Sequence, residues 1–178
     1  MAIALTFLPK YTYDDYIHWE GRWELIEGHP IAMSPMPIPL HQQVQGNLFI
    51  ELKESLKRIC NQCKIYLPLD YKITDGTTLQ PDLLIVCDKI NKSFLDFPPV
   101  LVVEILSPST ALKDRNTKYQ IYEQEGVRYY LIVDVDKKSI EIYQLMNGSY
   151  ALQPYKNGFE FKFDQGCSIA PELDNIWE

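Results

Sequence analysis

Positive charge is in short supply: 17 Lys and Arg stand against 24 Asp and Glu, a formal charge of −7 over 178 residues. That excludes a surface gripping nucleic acid by bulk electrostatics, unless divalent cations cover carboxylates near the middle of the chain, since the acids concentrate toward its ends. Long apolar runs are missing as well. None approaches the roughly 18 residues of a transmembrane helix, and Ala2 to Leu8 has no basic residue before it, which predicts a cytoplasmic protein without membrane contact. Histidine is sparse, and His18, His29 and His41 stand at no zinc spacing. The four cysteines, at 60, 63, 87 and 167, form one Cys-x-x-Cys with no second pair, so they read as reduced, mostly buried thiols. A chain of this length buries about 70% of its unfolded surface and needs neither disulfides nor a structural metal. No Gly-x-Ser-x-Gly elbow marks Ser107 or Ser109 as a nucleophile. Repeats and flexible linkers are absent too, leaving 1–178 as one domain in which Ser34 to Pro39 is a rigid connector.

What is present is an ordinary globular composition, 46% hydrophobic and 23% charged, with clear punctuation. Thr12-Tyr-Asp-Asp15 opens a short helix that ends near Gly21. Arg22 to Ile26 and Ile31 to Met33 flank Glu27-Gly28 as a hairpin. Leu40, Val44, Leu48, Leu52 and Leu56, closed by Ile59, mark an amphipathic helix over 40–60. Two strand-like runs, 64–73 and 78–87, meet at Thr74-Asp-Gly-Thr77. A third strand, Val100 to Leu106, is followed by a helix from about Lys113 to Glu125, stopped by Gly126, and by a strand from Arg128 to Asp134. Short turns favour antiparallel pairing early, whereas the passage 100–134 is long enough for a parallel crossover. Asn147-Gly148 and Asn157-Gly158 punctuate Tyr-rich strands that add hairpins.

Two carboxylates stand out. Glu104 interrupts Val-Leu-Val-Val-Glu-Ile-Leu, a run apolar on both faces, and shares a face with Val102 and Leu106. Buried there alone it would cost several kcal/mol unless a cation or hydrogen bonds held it; otherwise it ends an edge strand and points to water. Asp82 precedes Leu-Leu-Ile-Val-Cys and reads equally well as turn chemistry at a strand start. Glu104 lies on the next strand, so the two can converge, and paired carboxylates suit Mg²⁺ or Mn²⁺.

These residues also carry a resemblance. The order of elements is similar to the α-β-β-β-α-β core of PD-(D/E)XK nucleases. Trp23-Glu-Leu-Ile-Glu-Gly28, Met33-Ser-Pro35, His41, Gln80-Pro-Asp82, Val102 to Ser109, Asp114-Arg115, Lys118 and Tyr129 to Asp134 resemble the Uma family of endonucleases. The resemblance implies a restriction-endonuclease-like α/β (α+β) mixed sheet and a metal-dependent endonuclease cutting DNA. Asp82, Glu104 and the Ile105 carbonyl would hold Mg²⁺ or Mn²⁺, with Glu27 and His41 near the site. Leu106 stands where the superfamily has its motif lysine. Lys118 on the following helix is the replacement, acting in chemistry rather than folding and flanked on one face by Arg115 and Tyr122; Lys113 is the alternative. Two-fold DNA symmetry suggests a homodimer, with Tyr143, Tyr150 and Tyr155 as an interface unless they finish the core. The rival is a non-catalytic module that kept the nuclease core to bind nucleic acid or a protein partner.

Overall fold

The computed structural model describes residues 8–33, 38–155 and 158–178; Asn157 and most of the proline-rich connector lie outside them. Helix α1 (Tyr13–Tyr16) is short, and its Asp15 carboxylate accepts the Thr12 N–H at 2.8 Å. Strands β1 (Trp23–Ile26) and β2 (His29–Ala32) form the expected hairpin. Its turn holds Glu27 at φ 51° and Gly28 at φ 82°, the positive pair a tight two-residue hairpin requires. Helix α2 (Pro39–Ile59) buries His41, Val44, Leu48, Leu52 and Leu56. The ends of the expected stripe differ: Leu40 is 41% and Ile59 63% exposed. Four-residue steps drift by about 40° each around a helix, which sets Leu40 off the buried face, whereas Ile59 keeps to that face but is the last residue of the helix.

The runs 64–73 and 78–87 are each divided between two sheets. Near Pro68 and Pro81 they break into β3 (Lys64–Tyr66) and β4 (Tyr71–Thr74), then β5 (Thr77–Leu79) and β6 (Leu83–Val86). Proline offers no N–H to a ladder, which is why the bends fall there. The tip of this bent hairpin joins a sheet of order β2-β1-β5-β4. Its base enters a six-stranded sheet, where β7 (Leu101–Ile105) lies antiparallel to β6 and parallel to β8 (Tyr129–Asp134). The crossover from β7 to β8 consists of α3 (Ala111–Lys113), a π-helical turn (Asp114–Lys118) and α4 (Tyr119–Gln124). The hairpin of β9 (Ser139–Met146) and β10 (Ser149–Gln153) completes the order β10-β9-β8-β7-β6-β3. A small ladder of β11 (Phe161–Lys162) and β12 (Ser168–Ile169) and a 3₁₀ turn (Leu173–Trp177) follow, the turn packing on α2.

Both faces of the large sheet are covered. Leu48 and Leu52 of α2 meet Leu83, Val103 and Leu131 on one side, and Tyr122 of α4 meets Val102, Tyr130 and Ile132 on the other. The result is the mixed α+β, restriction-endonuclease-like arrangement expected. Tyr143 and Tyr150 pack against Tyr119 and Tyr130, and Tyr155 joins the α2 side; Tyr150 is buried, while Tyr143 and Tyr155 are half-buried. Among the described residues no helix is long and apolar enough to cross a membrane.

The cysteines depart from expectation. They form two disulfides, Cys60–Cys167 and Cys63–Cys87, and Cys87 is only half-buried rather than core. Linear spacing hides the first pair, which is 107 residues apart. The second follows from strand register: Lys64 faces Val86, so one step outward Cys63 faces Cys87.

Candidate active site

Strand register brings the two carboxylates together. Leu83 pairs with Val103 across β6 and β7, so continuing the ladder by one residue sets Asp82 beside Glu104. Asp82 Oδ2 accepts the N–H of Ile105 at 2.8 Å, which fixes the carboxylate at the strand end. Both acids border a cavity of about 320 Å³ that Arg22, His41, Ser107, Asp114 and Lys118 also line. Ser107 is occupied with Ser109 and Thr110 at the start of the crossover, as a strand-to-helix turn requires.

Lys118 points into this cluster and is 1% exposed. Its Nζ lies 2.8 Å from Glu104 Oε1, 2.7 Å from Glu24 Oε1 and 3.5 Å from Asp114 Oδ1. A spacing of four puts Asp114 and Lys118 on one helix face, and both are buried there while Arg115 between them turns outward to Glu141. Arg115 therefore does not share the lysine's inward face. Tyr122 does: its hydroxyl donates to Glu104 Oε1 at 2.7 Å. Lys113 instead pairs with Glu24 at the edge of the cluster.

Glu24 of β1 was not among the expected site residues, yet it is fully buried. It bridges Lys113 and Lys118 and accepts the backbone N–H of Gln80 at 3.0 Å. Glu27, three residues on, occupies the hairpin turn, gives its N–H to Thr77 and does not line the cavity. An available signal was the one used for Glu104: an acid embedded in an apolar strand, here Trp-Glu-Leu-Ile. Arg22 was also missed. It lines the cavity with an Nη2 that is buried without a hydrogen-bond partner.

Competition for one lysine sorts the acids electrostatically. Burial works against ionising Glu24, but Lys118 and Lys113 together hold its carboxyl below the usual value. Glu104 is more isolated. Burial, opposed by Lys118 and reinforced by Asp114, Asp82 and Glu24, pushes it well above the usual carboxylate range. Lys118 stays charged: burial alone would lower its pKa, but Glu104, Glu24 and Asp114 outweigh that and raise it. His41 Nε2 lies 3.0 Å from the Ile105 carbonyl and 3.6 Å from Asp82 Oδ2, so this nitrogen carries the proton. Burial would depress its pKa, but the hydrogen bond and charge of Asp82 raise it overall.

The donor set fits a hard divalent cation. Asp82 and Glu104 offer oxygens to the cavity, and the Ile105 carbonyl keeps a lone pair beyond the one His41 uses. The strongest sign is the surplus of negative charge around Glu104, together with Asp114 Oδ1, a buried oxygen without a hydrogen bond. Among the described residues around this cavity no three acidic or histidine side chains close on one point, so any ion held here would keep several waters, as Mg²⁺ does.

Comparison with known proteins bears on this arrangement. An uncharacterized Synechocystis protein, slr1290, is 36% identical over 150 residues, covering 76% of this chain and 74% of that one. A crystal structure from Anabaena variabilis, described as a putative nuclease belonging to DUF820, superposes with a TM-score of 0.73 over 93% of this chain and 97% of that chain. At 16% identity this likeness speaks for the fold alone. The sequence model of Uma2, described as "Putative restriction endonuclease", matches residues 12–170, and the chain therefore belongs to the Uma2 family.

Proposed function

We propose that this protein is a divalent-metal-dependent endonuclease that hydrolyses DNA phosphodiester bonds. The observation that carries the reading is the convergence of Asp82 and Glu104 on one cavity with a buried, charged Lys118 against them. Membership of a family described in nuclease terms supports it. Asp82, Glu104 and the Ile105 carbonyl would hold Mg²⁺ or Mn²⁺, which supplies Lewis-acid polarisation of a phosphoryl oxygen and of water. Lys118 donates hydrogen bonds to the attacking water or to a non-bridging phosphate oxygen, offering positive charge without taking a coordination position. Glu24 positions that ammonium group from behind. His41 braces Asp82 and the Ile105 carbonyl, and the free Arg22 Nη2 is available to a second phosphate oxygen.

A non-catalytic reading has its own support: Lys118 is already engaged by three carboxylates, and the chain is acidic overall. Plasmid DNA with Mg²⁺ or Mn²⁺ separates the two. We expect nicking or linearisation that EDTA abolishes and that falls by about 10²-fold or more in Lys118→Ala. Calorimetric titration with Mn²⁺ should show weaker binding in Asp82→Asn and Glu104→Gln. Intact plasmid together with unchanged Mn²⁺ affinity in both variants would overturn the proposal.

A further inference from the structure

All four cysteine sulfurs gather at the C-terminal end of α2, remote from the cavity just described. His41 and Cys60 mark opposite ends of that helix, about 28 Å apart at 1.5 Å per residue. Cys60 caps the helix, and three residues later the Cys63 N–H turns back to the Cys60 carbonyl at 3.1 Å. The two sulfurs of the Cys-x-x-Cys have different disulfide partners. Cys167 arrives from the start of β12 and Cys87 from the end of β6. The two disulfides are not separate: Cys63 Sγ and Cys167 Sγ, which belong to different bridges, lie 3.8 Å apart.

We infer that, in the reduced protein, Cys60, Cys63, Cys87 and Cys167 form a tetrahedral Zn²⁺ site. A Zn–S distance of about 2.3 Å gives a tetrahedron with S···S edges of about 3.8 Å, the spacing already found between Cys63 and Cys167. Cutting each disulfide lets its two sulfurs move apart toward the same edge length. Four thiolates are soft donors, and a closed S₄ set selects zinc over the hard cations suited to Asp82 and Glu104. A tetrathiolate zinc site carries two net negative charges. Lys53, Lys57 and Lys64 supply positive charge nearby, lining with Cys60 and Cys63 a cavity of about 280 Å³ that also offers the metal a way in. The chemistry balances: two equivalents of a dithiol deliver four electrons and four protons to the two disulfides and are themselves oxidised to disulfides. Zn²⁺ binding then releases the four thiol protons to solvent.

The experiment uses the full chain reduced with a phosphine, which does not compete strongly for zinc, then supplied with Zn²⁺ or Co²⁺. Native mass spectrometry and elemental analysis should find about one Zn²⁺ per chain, held by a site that protects all four thiols from alkylation. Co²⁺ should give intense thiolate charge-transfer absorption and tetrahedral visible bands. Cys63→Ser should weaken Co²⁺ binding by more than the 10–100-fold that outer-shell changes cost, while Asp82→Asn and Glu104→Gln leave the absorption unchanged. Should the serine variant fail to fold, the Co²⁺ spectrum of the unaltered chain decides alone. Four freely alkylated thiols in excess Zn²⁺, or a weak octahedral Co²⁺ spectrum, would overturn the inference and leave the disulfides as simple staples.

Discussion

Lys118→Met should damage the metal-free protein far more than a surface lysine substitution would. The ammonium sits 2.7 and 2.8 Å from two buried carboxylates, each contact worth roughly 6 kcal/mol at an effective dielectric of 20. Desolvating the ions cancels much of this, and the expected net cost of deleting one partner of such a cluster is about 3–5 kcal/mol. Methionine fills similar volume, so little of the loss should come from packing. Urea unfolding at neutral pH with EDTA, followed by circular dichroism, should show the midpoint falling by about 1–3 M at the slope usual for small proteins. Adding Glu104→Gln to the variant removes an acid that must take up a proton once its ammonium partner is gone, and should return about 1 kcal/mol or more, a coupling read from the double-mutant cycle. A Lys118→Met cost below about 1 kcal/mol, or strict additivity with Glu104→Gln, would refute the electrostatic reading of the cluster. The lysine thus serves the fold as well as the proposed chemistry, and activity losses in its variants must be measured at temperatures where they remain folded.

Gly28→Ala should cost about 1–3 kcal/mol, because its φ is +82° and the new Cβ would stand 2.9 Å from Lys10 Cβ; thermal melting checks it, and an unchanged midpoint would mean the hairpin relaxes freely. The hydrogen bonds from Arg115 hold the Glu141 carboxyl below its usual value, so the stability they give is fully present above the ordinary Glu range and disappears as pH falls through the lowered pKa. Between pH 6 and 3 the unaltered protein should lose about 0.5–1 kcal/mol more than Glu141→Gln, given how exposed the pair is, and parallel pH profiles would contradict this. A homodimer placing two cavities on one duplex should appear by light scattering at tens of micromolar, with a monomer at that concentration as the contrary result.

Legibility in the sequence followed the range of the physics involved. The β1–β2 turn, α2, β7 and β8 could be read because turn chemistry and apolar periodicity act over a few residues. Asp82 and Glu104 could be placed together because they bracket two consecutive strands. The division of 64–87 between two sheets could not be read, since a proline tells where a strand bends but not which neighbour each half joins. Glu24 escaped for the same reason: it meets Lys118 from a strand of the small sheet, which the pairing of β1 with β5 assembles. The Cys60–Cys167 pairing depends on where the last strands fold back, which no spacing in the chain records.

The π-helical turn at Asp114–Lys118 has an arithmetic of its own. Such a turn amounts to one extra residue accommodated within an α-helix. Deleting Asn116 would restore an unbroken helix, and α3 and α4 would keep their facing, because the wide turn already absorbs the extra residue. Asp114 and Lys118, four positions apart with that residue and three without it, share a face either way. The contact between them is therefore a property of their spacing, and the bulge is a residue that the crossover can lose without parting the cation from its acids.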